Sequence, residues 1–388
     1  MTVKKQEIIH VSEGSTTLVL PKSSLESSKP SYSIPFYNPR GGWSRDLSIS
    51  LYSVLAEKIS GKILFGDIFA GLGARGIRVA TEIPRIDEVH LNDQNKTSMS
   101  FAKKSAKLNG VNDRCFFSSM DVSHFMAAQA SSAERFSFVD IDPFGSPAPF
   151  IESGLRCVVN GGVISLTGTD STVLCGVYPK IARRRYFGYS LRTDYCHEVG
   201  LRLLYGALAF SAAKLDLGIS PLFAHRDHHY MRIYARISAG SRVADLSISN
   251  TGLILHCNSC LGREVSTFPK TKCKQCGHNY QIAGPLWLGE LHDQKLLKKV
   301  VSSNNPNLGR RHDNVLDRAI GEVGMPPTYY VVDTISKRLL VSSPRLSTLL
   351  RELGDEGFKS CRSSLHPRGV RTDAPTAILS SIIKKLAT

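Results

Sequence analysis

The chain has 388 residues, of which 42% are hydrophobic, and this is enough to bury sizeable cores and to form two domains. Lys and Arg number 49 against 33 acidic residues, so the formal net charge is +16. Such an excess favours nucleic acid as a partner, because each neutralised phosphate releases condensed counterions. The sequence shows no apolar run long enough to span a bilayer and no signal peptide, which argues against a membrane partner.

Nine cysteines occur in the chain without a secretory signal. In that context we expect free thiols or metal ligands rather than a disulfide framework. We therefore predict a cytoplasmic protein, with the nucleus or an organelle as the alternative in a eukaryote. The sequence gives no sign of an obligate protein partner.

The first half of the chain predicts alternating strands and helices. After a short strand at 16–20, the stretch 34–46 (IPFYNPRGGWSRD) is rich in aromatic and turn-forming residues, and Ser44 and Asp46 are suited to cap a helix over 47–59. Strands are predicted at 62–65, 89–93, 115–117, 136–139 and 162–167, with helices from about 77 and over 97–109. This alternation predicts an α/β, Rossmann-like domain with a parallel sheet.

The first strand runs into a glycine-rich turn, residues 67–76 (DIFAGLGARG), and the second strand ends in Asp93. Gly71 and Gly73 would let the backbone approach a nucleoside, and Asp93 would accept hydrogen bonds from the ribose hydroxyls. Asp67 could attract the amino group of S-adenosylmethionine, and Asp121 could accept a hydrogen bond from the adenine amine. A nicotinamide dinucleotide is the alternative cofactor, but no catalytic group for hydride transfer can be identified.

The fourth strand runs into residues 140–147, DIDPFGSP. Asp142 and the Pro143 carbonyl can each accept a hydrogen from an exocyclic amine, and Phe144 can stack on the ring that carries it. A strand followed by a Pro/Gly turn is the plain structural alternative. The neighbouring cofactor motifs favour methyl transfer to an amine over this alternative.

The second half of the chain begins with a basic run at 183–186 that could follow an RNA backbone, a helix over 195–215 and a strand over 231–237. A change of composition over 238–250 predicts two domains, a catalytic domain at 1–240 and a C-terminal, basic RNA-binding domain of α+β type at 241–388. The latter is predicted to contain helices over 293–301, 313–322 and 346–353 and a strand over 328–332.

Two C-x2-C pairs fall within residues 253–282, Cys257 with Cys260 and Cys273 with Cys276. Two thiolate pairs on tight turns can complete a tetrahedron around Zn²⁺, and four thiolates leave no open position for water. The pattern predicts a structural zinc site, with Gly277 suited to the sharp turn after the second pair.

Taken together, these motifs resemble the tRNA (guanine-N2)-dimethyltransferases that make N2,N2-dimethylguanosine at position 26 of tRNA. The resemblance includes the loop and the DPFGSP turn, FYNP at 36–39, HEVGLR at 197–202, GPLWLG at 284–289 and RTDAP at 371–375, and it covers nearly the whole chain. It implies that S-adenosylmethionine is contacted by Arg45, Arg75, Asp93, Asp121 and Val122. It further implies that Asp142 and Pro143 hold guanine N2, while Phe36 and Phe144 sandwich the base.

Two other function classes stay open. A methyltransferase acting on the amino groups of ribosomal RNA or DNA would share the glycine loop and the Asp-Pro-Phe turn, and it would differ mainly in its appended basic domain. A non-catalytic zinc-containing RNA-binding protein would share the charge and the four cysteines. It would not need carboxylates at three strand ends together with Asp142.

Overall fold

The computed structural model describes residues 7–26, 35–227 and 230–387. The chain forms two compact units. Unit 1 takes in Met1–Thr167, Ala235–Ser238 and Lys299–His312, and unit 2 takes in Gly168–Tyr234, Ala239–Lys298 and Asp313–Thr388. The predicted functional boundary at residue 240 stays a prediction.

The first part of the chain alternates strands and helices. Its elements are β1 (Ile8–Glu13), β2 (Thr16–Pro21), α1 (Ser23–Glu26), α2 (Gly42–Ala56), β3 (Leu64–Asp67), α3 (Ala74–Glu82), β4 (Glu88–Asn92), α4 (Lys96–Leu108), β5 (Cys115–Ser118), α5 (Val122–Ala130), β6 (Phe136–Ile141), α6 (Ile151–Cys157) and β7 (Val158–Gly168).

The second part mixes helices with strands, of which two are long and the others short. Its elements are α7 (Ser171–Leu174), α8 (Pro179–Tyr186), α9 (Cys196–Ala213), β8 (Leu217–Asp227), β9 (Tyr230–Ala239), α10 (Ser241–Ser249), β10 (Thr251–His256), β11 (Arg263–Ser266), β12 (Gln281–Trp287), α11 (Gln294–Ser302), α12 (Arg310–Glu322), β13 (Tyr330–Val331), α13 (Val332–Leu339), α14 (Leu346–Asp355), β14 (Ser360–Arg362), β15 (Gly369–Thr372) and α15 (Thr376–Ala387).

Unit 1 is built on a parallel sheet in which β5, β4, β3, β6 and β7 are neighbours in that order. Every residue of β3 and β6 is buried, as expected for parallel strands covered by helices on both faces. The chain moves outward from β3 to β5 and then returns to the other side of β3 to form β6. This reversal opens a crevice at the carboxyl ends of β3 and β6, where ligands bind in doubly wound sheets.

Unit 2 contains two three-stranded antiparallel sheets, with strand orders β11-β10-β12 and β13-β15-β14. Beside the second sheet, α13, α14 and α15 bury a core that includes Ile335, Leu349 and Leu379. Helix α9 is buried along nearly its whole length, which explains why its apolar residues are not confined to one face.

A buried network of charges also lies in unit 2. Arg371 is ion-paired with both Glu198 and Glu322, at 2.9 and 2.8 Å. Glu198 pairs in addition with Arg202 at 2.9 Å, and Glu322 lies 3.3 Å from the His292 ring. Burial opposes ionisation of Glu322, but the charge of Arg371 outweighs it and holds the pKa of Glu322 well below its usual range. Because these side chains are almost fully buried, the loss of one charge would leave its partners buried without compensation and would destabilise the fold.

Some elements differ from the sequence-based expectation. Helix α2 begins at Gly42 rather than at 47, so Ser44 and Asp46 lie inside the helix and do not cap it. Asp46 accepts a hydrogen bond from Arg78 of α3 at 2.7 Å, a tertiary contact that the local sequence does not reveal. The stretch 238–250, expected as a connection between domains, contains α10, and the strand expected at 328–332 is only two residues long. Among the described residues, no helix is both long and apolar enough to cross a membrane.

Candidate active site

The carboxyl ends of the central strands in unit 1 bring the predicted site residues together. Asp67 ends β3 and is in register with Asp140 of β6. Asp142 and Pro143 follow β6 directly, and the glycine loop follows β3. Both motifs therefore lie at the crevice where the strand order reverses. The sequence predicts this placement because strands of a parallel sheet end at a common edge.

The glycines of the loop meet two different requirements. Gly71 and Gly73 have φ angles of 55° and 77°, a left-handed conformation that side chains disfavour. Gly76 meets a packing requirement, since a Cβ there would lie 2.7 Å from a methyl carbon of Leu91. The loop backbone consequently stays close to the sheet, and α3 starts directly above the end of β3.

Asp67 and Asp93 both hold the backbone around this loop. Asp67 accepts a hydrogen bond from the Gly76 amide at 3.0 Å and so caps α3 from the end of the strand. Asp93 accepts from the Gly71 amide at 2.9 Å and from the Asn95 amide at 2.8 Å. These bonds fix the carboxylate of Asp93 beside the loop, where remaining lone pairs can accept from ribose hydroxyls.

Asp121 lies after β5 and caps helix α5. Its Oδ1 accepts from the Ser123 amide and its Oδ2 from Gln94 Nε2, both at 2.9 Å. Asp121 is exposed and the side chain of Val122, the first residue of the helix, is buried. The amide of Val122 belongs to the first turn of the helix, which has no intrahelical acceptor for its amides and can donate to a ligand.

Arg75 links the carboxylates of the crevice. Its Nη2 lies 2.9 Å from Asp142 Oδ2, its Nε lies 3.5 Å from Asp140 Oδ2, and its Nη1 donates to Ser48 Oγ at 2.5 Å. Asp140 is fully buried and also accepts from the Tyr52 hydroxyl at 2.7 Å. Arg75 is buried as well, so its guanidinium fixes the orientation of the Asp142 carboxylate.

Negative charge prevails at this edge, although the whole chain is strongly basic. Burial, followed by the charge of Asp140, raises the pKa of Asp67 to about 7. The charge of Arg75 opposes this rise but does not cancel it. A cationic ligand placed here would compensate the carboxylates, and S-adenosylmethionine carries both an amino group and a sulfonium.

Arg45, which the family resemblance assigns to the cofactor, already has partners within unit 1. Its guanidinium donates to both carboxylate oxygens of Glu13, at 2.7 and 2.5 Å, and to the Asn38 carbonyl at 2.9 Å. Burial opposes ionisation of Glu13, but the hydrogen bonds and charge of Arg45 outweigh it and keep the pKa of Glu13 below its usual range. Among the described residues, no acceptor is bonded to Nη1 of Arg45, which leaves this nitrogen as its donor for a ligand.

The Asp-Pro-Phe turn offers two acceptors and an aromatic ring. No donor among residues 7–26, 35–227 and 230–387 reaches the Pro143 carbonyl oxygen. Phe144 is 65% exposed, which is unusual for a phenylalanine side chain. Its ring meets that of Phe36 edge to face, with centroids 5.5 Å apart and planes at 78°. Phe36 and Phe144 are therefore neighbours, but in this arrangement they leave no parallel slot for a base.

The four cysteines of unit 2 come together from the two loops that precede and follow β11 in the chain. Cys257 Sγ lies 3.4 Å from Cys276 Sγ, Cys260 Sγ lies 3.6 Å from Cys273 Sγ, and all four lie within 4.8 Å of one another. Zn–S bonds of about 2.3 Å in a tetrahedron require sulfur–sulfur distances of about 3.8 Å. The sulfur atoms thus fit a zinc ion.

Each cysteine pair sits on the same kind of tight turn. The amide of Leu261 donates to the Cys257 carbonyl at 2.8 Å, and that of Gly277 to the Cys273 carbonyl at 2.9 Å. Both turns need a left-handed residue, and Leu261 and Gly277 have φ angles of 59° and 73°. The prediction for Gly277 agrees with this geometry, whereas nothing in the sequence indicated that Leu261 would take the same role.

Four residues around the active-site crevice were missed by the sequence analysis: Glu13, Ser48, Tyr52 and Asp140. Each of them contacts Arg45 or Arg75, or shares a buried hydrogen bond with another of the four. These contacts join segments that are distant in the sequence, so local patterns do not reveal them. The only local signal was the second carboxylate in the DIDPF sequence. Its spacing of two from Asp142 puts Asp140 on the same side of the strand.

The model of the N2,N2-dimethylguanosine tRNA methyltransferase family matches residues 14–384. A curated tRNA (guanine(26)-N(2))-dimethyltransferase of Methanothermobacter thermautotrophicus is 36% identical over 385 residues, which cover 98% of this chain and 99% of the relative. A protein of the same name from Pyrococcus abyssi is 33% identical and covers 97% of this chain and 99% of its own length.

A solved structure with a closely similar fold is that of Trm1 from Pyrococcus horikoshii in complex with S-adenosyl-L-methionine. Its TM-score is 0.83 at 28% sequence identity, and the match covers 97% of this chain and 99% of that one. The likeness therefore extends over both units.

Proposed function

Because the chain belongs to the N2,N2-dimethylguanosine tRNA methyltransferase family, we propose that it transfers two methyl groups from S-adenosylmethionine to the N2 amine of guanine 26 in tRNA. The family, the Rossmann-like fold and the methyltransferase activity that the sequence predicts are confirmed by the family match and the relatives. One observation carries the assignment of the site: the Asp-Pro-Phe turn and the acidic glycine loop share the crevice at the reversal of strand order in unit 1.

The cofactor pocket would be formed by the loop and by the acids at the strand ends. Asp67 attracts the amino group of the cofactor, Asp93 accepts from the ribose hydroxyls, and Asp121 accepts from the adenine amine. The remaining contacts come from Gly71, Gly73, Arg45, Arg75 and Val122. The excess of carboxylates over cations at this edge fits a cationic cofactor and disfavours a dinucleotide with its anionic phosphates.

S-adenosylmethionine supplies the electrophilic methyl group when it is bound. The guanine N2 amine is a weak nucleophile, because its lone pair is delocalised into the ring. Asp142 and the Pro143 carbonyl accept its two hydrogens and so orient the lone pair, while Arg75 keeps the Asp142 carboxylate in place. Asp142 also takes up the proton that the amine loses. Two successive transfers need two cofactor molecules and room for the monomethyl product.

Guanine 26 must leave its stack in the tRNA to reach this turn. Extrusion of a base costs roughly a few kcal/mol, which stacking on aromatic side chains helps to offset. For a sandwich between Phe36 and Phe144, the ring of Phe144 has to turn away from its present edge-to-face contact. Its high exposure makes this rotation inexpensive.

Binding of the tRNA is assigned to the C-terminal domain, residues 241–388, together with helix α8. The four cysteines of this domain would hold a structural Zn²⁺ that fixes the hairpins around β10, β11 and β12. On α8, the side chains of Arg183, Arg184 and Arg185 are exposed. Since tRNA is the substrate, we place the reaction in the cytoplasm.

The test is nucleoside mass spectrometry of an unmodified tRNA transcript that has been incubated with the protein and S-adenosylmethionine. We expect dimethylguanosine to form, and to be absent from a transcript with adenine at position 26. Methylation of ribosomal RNA or DNA fragments without any methylation of tRNA would refute the substrate assignment. It would leave the cofactor assignment intact.

A further inference from the structure

A second group of metal-ligating side chains lies in unit 2, apart from the four-cysteine site. Cys175 follows helix α7, while Cys196 and His197 are the first residues of α9. Their ligand atoms all lie within 4.8 Å of one another. None of the three is used in the proposed reaction. The contact joins two positions that are separated in sequence by all of α8.

Buried polar atoms without partners occur in this group and in the residues just before it in the chain. Among the described residues, Thr193 Oγ1, Asp194 Oδ2 and His197 Nδ1 are buried and have no hydrogen-bond partner. A buried polar atom that is left unsatisfied costs about 1–3 kcal/mol, so each of these atoms requires a partner. For an imidazole nitrogen beside two thiols, a metal ion is the partner that satisfies all three at once.

We propose that Cys175, Cys196 and His197 bind a second divalent metal ion of the zinc class. Thiolate and imidazole are the preferred ligands of Zn²⁺, whereas Mg²⁺ and Ca²⁺ take oxygen ligands. Three protein ligands leave the fourth position of a tetrahedron to water.

The ion would hold the segment that contains α8 at both of its ends. This segment carries the three exposed arginines and leads back to α9, which is buried in the core of unit 2. A bridge between its ends reduces the conformational freedom of the segment in the unfolded chain. Its expected consequence is local stability, and it adds no chemical step to methyl transfer.

The experiment measures zinc per chain by inductively coupled plasma mass spectrometry, on full-length protein dialysed without strong chelators. We expect two ions in the wild-type protein and one in Cys196→Ser, with Cys175→Ser as a second variant of the same site. Cys260→Ser, which disrupts the four-cysteine site, should retain the ion at the new site. The matched control is Cys361→Ser, a partly buried cysteine outside both groups, which should retain two.

Cobalt gives a second readout that does not depend on activity. In Cys260→Ser we expect one bound Co²⁺ whose thiolate charge-transfer absorption disappears when Cys196→Ser is added. The proposal is overturned if the wild-type protein holds a single zinc ion that Cys196→Ser does not remove. Isolation of the protein with a disulfide between Cys175 and Cys196, shown by peptide mapping under alkylating conditions, would likewise overturn it.

Discussion

Replacement of Asp142 by Asn tests the proposed mechanism with almost no change of side-chain volume. In the wild-type protein, Oδ2 of Asp142 is 2.9 Å from Arg75 Nη2. An asparagine has one acceptor oxygen and one NH2 group, and the guanidinium requires the oxygen. The NH2 group then faces the guanine amine, so that two donors oppose each other where the wild-type protein presents an acceptor.

The expected loss follows from the two roles of this carboxylate. Removal of one oriented hydrogen-bonding group in an active site costs about 10²–10³ in rate, or about 2.7–4 kcal/mol. Loss of a proton acceptor costs about 10²–10⁴. Because both effects arise from the same group they overlap, and we expect the rate of methyl transfer to fall about 10³-fold. Stability should change by less than about 1 kcal/mol, since the Asp142 side chain is 32% exposed.

The assay is single-turnover transfer of a labelled methyl group to a tRNA transcript, with enzyme in excess. Binding of tRNA is measured in parallel by filter retention and should be unchanged. Asp113→Asn, at an exposed turn far along the chain from the loop and Asp142, is the matched control and should retain the wild-type rate. If Asp142→Asn lowers the rate by less than about tenfold, or about 1.4 kcal/mol, the proposed role of Asp142 is wrong.

Four further predictions concern the affinity for the cofactor, the pH dependence of folding stability, the buried charges and the tRNA. Because the pKa of Asp67 is raised to about 7, acidification below that value removes the carboxylate that attracts the cofactor's amine. We therefore expect the affinity for S-adenosylmethionine, measured by calorimetry, to fall by up to about tenfold per pH unit in the wild-type protein. The affinity of Asp67→Asn should not show this fall. In the absence of ligand, the raised pKa of Asp67 also affects folding. Between pH 3.8, the ordinary pKa of this carboxyl group, and about pH 7, the folded state holds a proton that the unfolded state has lost, so stability declines as the pH rises. Urea unfolding at a series of pH values should show this decline in the wild-type protein and not in Asp67→Asn. Arg371→Ala leaves two buried glutamates without their shared cation and should cost about 3–5 kcal/mol in urea unfolding, whereas Arg368→Ala, which removes a partly exposed ion pair, should cost less than about 1 kcal/mol. Arg184→Ala should reduce the slope of log affinity for tRNA against log salt by about 1, and an unchanged slope would show that this residue does not contact phosphate.

The sequence alone was sufficient for the local features of unit 1. The alternation of strands and helices, the glycine loop and the acids at strand ends follow from short-range patterns of burial and turn formation. Since the ends of parallel strands share one edge, the sequence also indicated that Asp67, Asp93 and Asp142 would lie near the same crevice. The C-x2-C pairs, likewise, predicted a cluster of four sulfur atoms that the fold brings together.

The contacts that long charged side chains make with distant segments could not be predicted from the sequence. Arg45 was assigned to the cofactor by family resemblance, and only the structure pairs it with Glu13 of β1. The start of α2 at Gly42 also depends on tertiary contacts, because the glycines there have low intrinsic helix propensity.

The same distinction holds for the two cysteine groups. Cys257, Cys260, Cys273 and Cys276 were recognisable because each pair is local, and a tight turn fixes the distance between its thiols. Cys175 and Cys196 have no motif spacing, so their proximity to each other depends on how α7 and α9 pack within unit 2. Sequence determines which ligands a short turn can present, whereas the packing of helices and strands decides which distant side chains meet.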